Sequence, residues 1–321
     1  MDRLYVVEYG QDIKAAARFE LQNFAETLGF GIIFDRDGVS VISGYGDSLR
    51  ESAFIQRISE VVSEGDSYQQ FSSYAIDEGK FYVRVRDPIG CHNSALEPEI
   101  GKLLHGEGRI SFRDPDFVLR AFHLDRWYLA REIYSMPKES FDQRRSPKRP
   151  FFSPISMHPK IARFMVNVSN TPPLGVLLDP FCGTGGILLE AGLLGKRTIG
   201  IDLSLQMTSG AKLNLKYFGI RDATIINGNF LDMEISQKVD SIVTDMPYGR
   251  NAPMHKQQLK ELYKASIVKF SEILASGKRC VLAVSDLDLL EGCENFFVTI
   301  GIIEHRIHKS LTRHYVILQR S

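Results

Sequence analysis

The sequence predicts an α/β chain whose C-terminal half forms a seven-stranded, mostly parallel, doubly wound sheet, preceded by a smaller α+β region. Three observations predict it. From Leu174 onward short apolar segments alternate with helical patterns, the order a parallel sheet needs because each crossover returns over a face of the sheet. The stretch Leu177–Gly186, LLDPFCGTGG, runs from an apolar segment into an aspartate, a proline and three glycines before apolar periodicity resumes at Ile187, which reads as strand, glycine turn and helix. A second apolar run, Ile242–Gly249 (IVTDMPYG), also ends in an aspartate, followed here by Met-Pro-Tyr. Glycines let a backbone turn tightly and come close to a ligand. The turn lacks the Gly-Lys-Ser/Thr ending of a phosphate loop, and DPFCGTGG is not G-x-G-x-x-G.

Taken in order, residues 3–9 read as a strand and 11–28 as a helix with Ile13, Ala17, Leu21, Phe24 and Leu28 at helical spacing. Phe30–Phe34 and Val39–Ser43 form a hairpin about an Asp-Gly step. Residues 49–62 place Phe54, Ile55, Ile58 and Val61 at helical spacing and predict a second helix. A further unit runs from about Ser72 to Tyr134: a strand at Phe81–Arg86, a helix at Leu96–Leu104, and strands at Val118–His123 and Arg126–Glu132. Trp127 and Tyr128 fit a stacking surface, but one of them more often belongs to a core, and Arg84 and Arg86 fit a solvated face as well as a phosphate track. Residues 136–153 change texture to a proline-rich linker, in which Arg144, Arg145, Lys148 and Arg149 are the local candidates for phosphate contacts. A helix begins near Pro159, with Ile161, Phe164, Met165 and Val168 inward. The parallel part then follows: strands ending at Asp179 and Asp202, a helix at Ser204–Phe218, strands at Thr224–Asn227 and 239–244, a helix at 256–275, and strands at Arg279–Val284, Phe297–Glu304 and His314–Gln319. The segments are thus 1–71, 72–135, a linker at 136–153, and 154–321.

The 321 residues suit two domains, and 44% hydrophobic with 24% charged residues suits an ordinary soluble protein. No apolar run is long enough to cross a bilayer, and the start does not resemble a signal peptide. Cys91, Cys182, Cys280 and Cys293 contain no CxxC pair, so reduced thiols and no structural zinc are expected. The net charge is zero, but residues 1–76 carry 6 basic and 12 acidic side chains and residues 132–321 carry 24 and 18. A polyanion would therefore meet the second half or its border.

Together, the two aspartate-ending motifs resemble those of class I methyltransferases that use S-adenosyl-L-methionine to methylate exocyclic amino groups of bases, and the resemblance covers nearly all of 150–321. In layout, with FYVRVR and VLRAFHLDRWYLARE as its strands, the first half resembles the ferredoxin-like segment and RNA-binding THUMP domain that precede such domains in RNA-modifying enzymes. The chain is similar to the THUMP-containing tRNA guanine-N2 methyltransferases, of the archaeal type that mono- or dimethylate guanosine 10. The resemblance implies that Asp179, Pro180, Phe181, Gly183, Thr184, Gly185 and Gly186 hold the methionine and ribose portions of the cofactor. Asp202, 23 positions after Asp179 at the end of the next strand, is placed to accept from the ribose hydroxyls. Leu203, Phe230 and Asp245 would also bind the cofactor, and Asn229 would meet its adenine, standing where the family has an acidic residue, with Asp232 as its alternative. Phe152 and Ser153 would fold over the methionine end.

The catalytic stretch is Asp245-Met246-Pro247-Tyr248, with Met246 where the family has proline. An exocyclic amine is a poor nucleophile because its lone pair is delocalised. A carboxylate accepting one N–H, aided by the Met246 carbonyl, orients the nitrogen and takes up developing charge, while Tyr248 offers a face on which the base stacks. The segment HRIHKSLTR resembles a closing hairpin in which Lys309 and Arg313 reach phosphates or base edges and His308 is structural. The resemblance further implies tRNA as partner, room for a small accessory activator protein, S-adenosyl-L-homocysteine as product, no metal, no membrane, a monomer and a cytoplasmic setting. Methylation of guanine N2 at another tRNA or rRNA site, N6-adenine methylation of DNA, and tRNA binding without turnover are the alternatives.

Overall fold

The computed structural model describes residues 3–76, 78–86, 94–154, 156–236, 238–248, 256–308 and 311–321, apart from the side chains of residues 105, 256 and 308. The chain divides into two compact units, Met1–Lys138 and Glu139–Ser321.

In the first unit the elements are β1 (Leu4–Tyr9), α1 (Lys14–Leu28), β2 (Gly31–Arg36), β3 (Val39–Ser43), β4 (Ile55–Gly65), β5 (Ala75–Ile76), β6 (Lys80–Arg86), α2 (Leu96–Leu103), β7 (His105–Gly106), β8 (Arg109–Ile110), β9 (Phe117–His123) and β10 (Trp127–Ser135). Among the described residues, eight of these strands form one sheet in the order β2-β3-β1-β4-β10-β9-β6-β8, so residues before and after position 72 share it. Residues 55–65 are a central strand rather than the helix expected over 49–62. The pairing with β1 explains the misleading spacing: Glu8 faces Arg57 but Tyr9 faces Ile55, so the register shifts and Ile55 and Ile58, three apart, are both buried. A bulge inserts one residue and turns a period of two into three. Trp127 and Leu129 pack into one core cluster while Tyr128 and Ala130 pack into another, as alternate residues of a strand must when both faces are covered. Trp127 and Tyr128 are thus core residues. Arg84 pairs with Glu97 at 3.1 Å, and Arg86 pairs with the buried Glu8, which Arg120 also meets at 2.8 Å.

The second unit contains α3 (Pro159–Val168), β11 (Val176–Asp179), α4 (Gly186–Leu193), β12 (Arg197–Asp202), α5 (Leu205–Tyr217), β13 (Ala223–Asn227), β14 (Val239–Asp245), α6 (Lys256–Ile273), β15 (Leu274–Val284), β16 (Phe297–His308) and β17 (Leu311–Arg320). Its seven strands are ordered β13-β12-β11-β14-β15-β17-β16, parallel from β13 to β15, with β17 antiparallel to both β15 and β16. All four residues of β11 are buried, as a strand covered on both faces by helices requires. One core cluster joins Leu178, Ile242, Met246, Phe230, Tyr263 and Phe270.

Two consequences of this topology build the site. β12, β11 and β14 are neighbours, so their terminal residues Asp202, Asp179 and Asp245 meet at one edge of the sheet, where open α/β sheets bind ligands. β17 runs the other way, so its beginning, including Arg313, returns to that same edge. The segment after Lys138, expected as a linker, instead carries two short 3-10 turns, Asp142–Arg144 and Ser146–Lys148, within the second unit. No described helix is long and apolar enough to cross a membrane.

Candidate active site

Asp179 ends β11 only 1% exposed, its Oδ1 accepting hydrogen bonds from Thr244 Oγ1 (2.6 Å) and the Phe181 N–H (3.2 Å). Burial pushes its carboxyl up to about 7; the two hydrogen bonds oppose the rise and the nearby charges of Asp245 and Asp202 add to it. Pro180 is buried behind it, and Phe181 meets the Phe230 ring edge to face at 6.1 Å. The backbone then turns through Gly183 (φ +50) and Gly185 (φ +77), conformations that side chains resist. A Cβ at Gly183 would meet nothing within 4 Å, which leaves an open approach to the backbone, whereas one at Gly185 would come within 3.2 Å of Ala211 on α5. Gly183 therefore serves approach and Gly185 serves packing. Asp202 secures the turn from the adjacent strand, its Oδ2 accepting from the Gly183 N–H at 2.9 Å and its Oδ1 from the Ser204 N–H at 2.8 Å.

Around the next strand end, Leu203 is largely exposed while Asn227 Nδ2 donates to the carbonyls of Asp202 and Leu203. Asn229 caps the short turn Phe230–Asp232, its Oδ1 accepting from the Leu231 N–H (3.2 Å) and its Nδ2 donating to Asp232 (2.8 Å). The two alternatives for the adenine contact are thus one hydrogen-bonded pair, in which Asp232 supplies the negative charge. Phe230 is buried against Phe270, so its ring belongs to the core. These features suit a cofactor with a cationic sulfonium and a ribose: three carboxylates gather at the sheet edge, and the turn beside them admits close approach. Among the described residues no three His, Cys, Asp or Glu side chains converge as metal ligands would.

Asp245 keeps 19% side-chain exposure, and burial pushes its carboxyl up to about 7 against the lowering effect of Arg313. Arg313 Nη1 lies 3.4 Å from Asp245 Oδ2, the Tyr248 hydroxyl donates to Oδ1, and the Arg313 guanidinium stands 5.0 Å from the Tyr248 ring centre. Arg313 was expected to reach phosphates or base edges; the structure turns it inward onto the strand-end carboxylate, since β17 starts beside β15, next to β14. The Pro247 carbonyl accepts from the Tyr263 hydroxyl at 3.1 Å, and the Met246 N–H donates to the Ala283 carbonyl at 3.0 Å. The Met246 side chain is fully buried in the core, so any part it has in the chemistry is left to its backbone. Lys309 and the His308 side chain lie outside the described residues.

The basic segment differs most from its expected role. Arg144 forks onto the fully buried Glu190 of α4 (Nε 2.7 Å, Nη2 3.1 Å), and Arg163 of α3 reaches the same carboxylate at 2.9 Å. Arg149 is 5% exposed, and its Nε donates to the Arg144 carbonyl. Arg149 is therefore a buried residue and Arg144 a partly buried one committed to Glu190, rather than the surface phosphate contacts expected, because Glu190 and the packing around it draw them in. Arg145 and Lys148 stay exposed beside Asp142, at 3.4 and 2.7 Å. Ser153 is buried and bonded through its backbone to Ser146 Oγ, whereas Phe152 is half exposed.

Asn214 on α5 was missed in the sequence. Fully buried, it accepts from the Phe151 N–H (2.9 Å) and donates to the carbonyls of Phe151 and Thr184 (3.1 Å each), clipping the entry segment to the glycine turn. Thr184 is buried 2.9 Å from Ser156 Oγ, a second clip. Asn214 lies three residues after Ala211 on an inward helical face, and Glu190 sits inside an apolar helix; a polar side chain at a core position needs a partner, which is the signal that could have found both.

Residues 146–314 match the RMKL-like methyltransferase domain family. The chain is 34% identical over 311 residues to the tRNA (guanine(10)-N2)-dimethyltransferase of Methanothermobacter thermautotrophicus, covering 92% of this chain and 93% of the relative. It is 32% identical over 300 residues to the Pyrococcus abyssi protein of the same name, covering 89% and 86%. Its fold is similar to that of TrmN from Thermus thermophilus, with a TM-score of 0.57 at 16% identity over 99% of this chain and 100% of that one. The matched stretch contains the glycine turn and all three strand-end aspartates, and the longer alignments take in both units, so the chain belongs to the RMKL-like methyltransferase family, among the relatives of the archaeal tRNA (guanine(10)-N2)-dimethyltransferases.

Proposed function

We propose that this chain transfers one or two methyl groups from S-adenosyl-L-methionine to N2 of guanosine 10 in tRNA. The observation that carries the reading is the placing of Asp245, a partly desolvated carboxylate at the end of β14, beside the Asp179–Asp202 glycine turn and within reach of the Tyr248 hydroxyl. The names of the two archaeal relatives support the choice of position 10. When bound, the cofactor supplies an electrophilic methyl group. Asp202, which also holds the Gly183 N–H, is placed to accept from the ribose hydroxyls, Asp179 stands beside the turn with its carboxyl raised to about 7 by burial, and Gly183 leaves the backbone open to the cofactor.

Asp245 accepts one N–H of the guanine amine and the Met246 carbonyl the other, holding the nitrogen in line for transfer. As the nitrogen gains the methyl and the methyl–sulfur bond is given up, the amine loses one proton, which Asp245 takes and passes to water; the carboxylate so restored accepts the remaining N–H before a second transfer. The base must leave its stack to reach this edge. Tyr248 and Arg313 now occupy the two oxygens of Asp245, so the base takes their place, and Tyr248 freed of Arg313 offers its face for stacking. The first unit, with Arg145 and Lys148 of the second, is assigned to tRNA, and a cytoplasmic monomer is the setting that goes with this reading.

The test is incubation of unmodified tRNA with methyl-labelled cofactor, followed by digestion and sequencing of the labelled fragment. N2-methylguanosine and N2,N2-dimethylguanosine at position 10 are expected. Label at another guanosine, in N6-methyladenosine, or nowhere would overturn the assignment.

A further inference from the structure

We propose that Arg149 is the electrostatic anchor for the carboxylate of the cofactor's methionine end, an inference that rests on the methyltransferase reading above. Glu190 is fully buried and already serves two guanidinium groups, Arg144 at 2.7 Å and Arg163 at 2.9 Å. Arg149 is the third cation in this cluster. Its Nη1 and Nη2 are sealed from solvent with no hydrogen-bond partner, and burial weakens its hold on the proton while Glu190 opposes that effect. Three guanidinium groups around one carboxylate, those of Arg149 and Arg163 buried and that of Arg144 partly so, leave a surplus of two positive charges. Such a surplus is strongly unfavourable unless an anion offsets it.

The place of the guanidinium indicates which anion. It lies against Gly186, the first residue of α4, with Nη1 3.2 Å and Nη2 3.7 Å from the position a Cβ would take there. A side chain at 186 would push it away, so glycine is what lets this charge come so close to the turn. The N-terminus of α4 adds its own positive partial charge at the same point. A phosphate of a polynucleotide lying on the surface does not reach a side chain that is 5% exposed. A small ligand lodged in the turn faces the backbone of Gly183–Gly186, and the charge of Arg149 acts on it across Gly186. Of the groups on S-adenosyl-L-methionine, only the carboxylate is anionic. Arg149 is accordingly a positioning residue, acting by charge at short range and not as a direct ligand.

The test compares calorimetric binding of S-adenosyl-L-homocysteine with that of its carboxamide, which keeps the size and loses the negative charge. The parent chain is expected to prefer the acid by about tenfold or more, Arg149→Met to lower that preference to within about threefold, and Arg149→Lys, which keeps the charge, to retain most of it. Affinity for tRNA is expected to be unaltered. If Arg149→Met does not fold, Arg149→Lys and the parent preference decide: a parent preference below twofold, or its complete loss in Arg149→Lys, overturns the proposal. An unchanged preference in Arg149→Met overturns it as well, as does a loss of tRNA affinity with the acid preference intact, which would assign the charge to a phosphate. Failure of the parent to bind the acid at all removes the cofactor reading and this inference with it, whereas equal binding of acid and amide removes this inference alone.

Discussion

Asp245 ends a strand whose neighbours are nearly all buried, and a carboxylate so placed has lost water that a positively charged neighbour only partly replaces. Replacing Asp245 by Asn keeps the shape and removes the charge. The methyl-transfer rate at saturating cofactor and tRNA is expected to fall by about 10²-fold or more, with affinity for S-adenosyl-L-homocysteine within about threefold of the parent. A rate within about threefold of the parent would take Asp245 out of the chemistry. Asp179 makes a second point through pH. Its carboxyl titrates near 7 in the folded chain, against about 3.9 when unfolded, so between these values the folded state holds the extra proton. Its stabilising contribution is therefore complete below about pH 4 and is lost as pH rises through about 7. Asp179→Asn has no charge to bury, so its melting temperature relative to the parent should be more favourable at pH 8 than at pH 5, by about 2–4 °C for each kcal/mol relieved. A difference of the opposite sign would show that Asp179 is held ionised by its partners.

At the scale of the element, α4 does more than cover the sheet. Its buried Glu190 draws Arg144 and Arg163 from two other segments into the interior. Glu190→Gln leaves those guanidinium groups without a counter-charge, and destabilisation by about 3–5 kcal/mol is expected in denaturant unfolding. Asp142→Ala, which removes only the exposed pairing to Arg145 and Lys148, should leave the midpoint unchanged. A comparable shift in both variants would make the cluster an ordinary surface network. α5 has an equivalent role through Asn214. Asn214→Ala frees the Phe151 and Thr184 backbone groups, so cofactor affinity is expected to fall by about tenfold, readable by calorimetry, while the fold persists. Unaltered affinity would show that the clip does not shape the turn.

For the whole molecule, each unit has its own sheet and its own buried clusters, and the site described above lies entirely within Glu139–Ser321. Residues 139–321 produced alone should therefore bind S-adenosyl-L-homocysteine within about threefold of the full chain. If the first unit grips tRNA, the same fragment should bind tRNA at least about tenfold more weakly in a gel-shift titration. Undiminished tRNA affinity would place the RNA contacts wholly in the second unit.

The sequence by itself determined the alternation of strands and helices, the glycine turn, and the three aspartates at strand ends. Those features follow from periodicity and turn chemistry, which act over a few neighbouring residues. It misread residues 55–65 because a bulge in pairing with β1 mimics helical spacing, and pairing is a property of two strands. Tertiary structure alone decided the charges. Arg144, Arg149 and Arg313 look like surface cations in a basic, polar stretch, yet Glu190 draws in the first and, with the packing around it, the second, and Asp245 draws in the third, from 46, 41 and 68 residues away. Whether a charge meets water or a buried carboxylate depends on which distant segment the fold lays over it, and no local pattern encodes that.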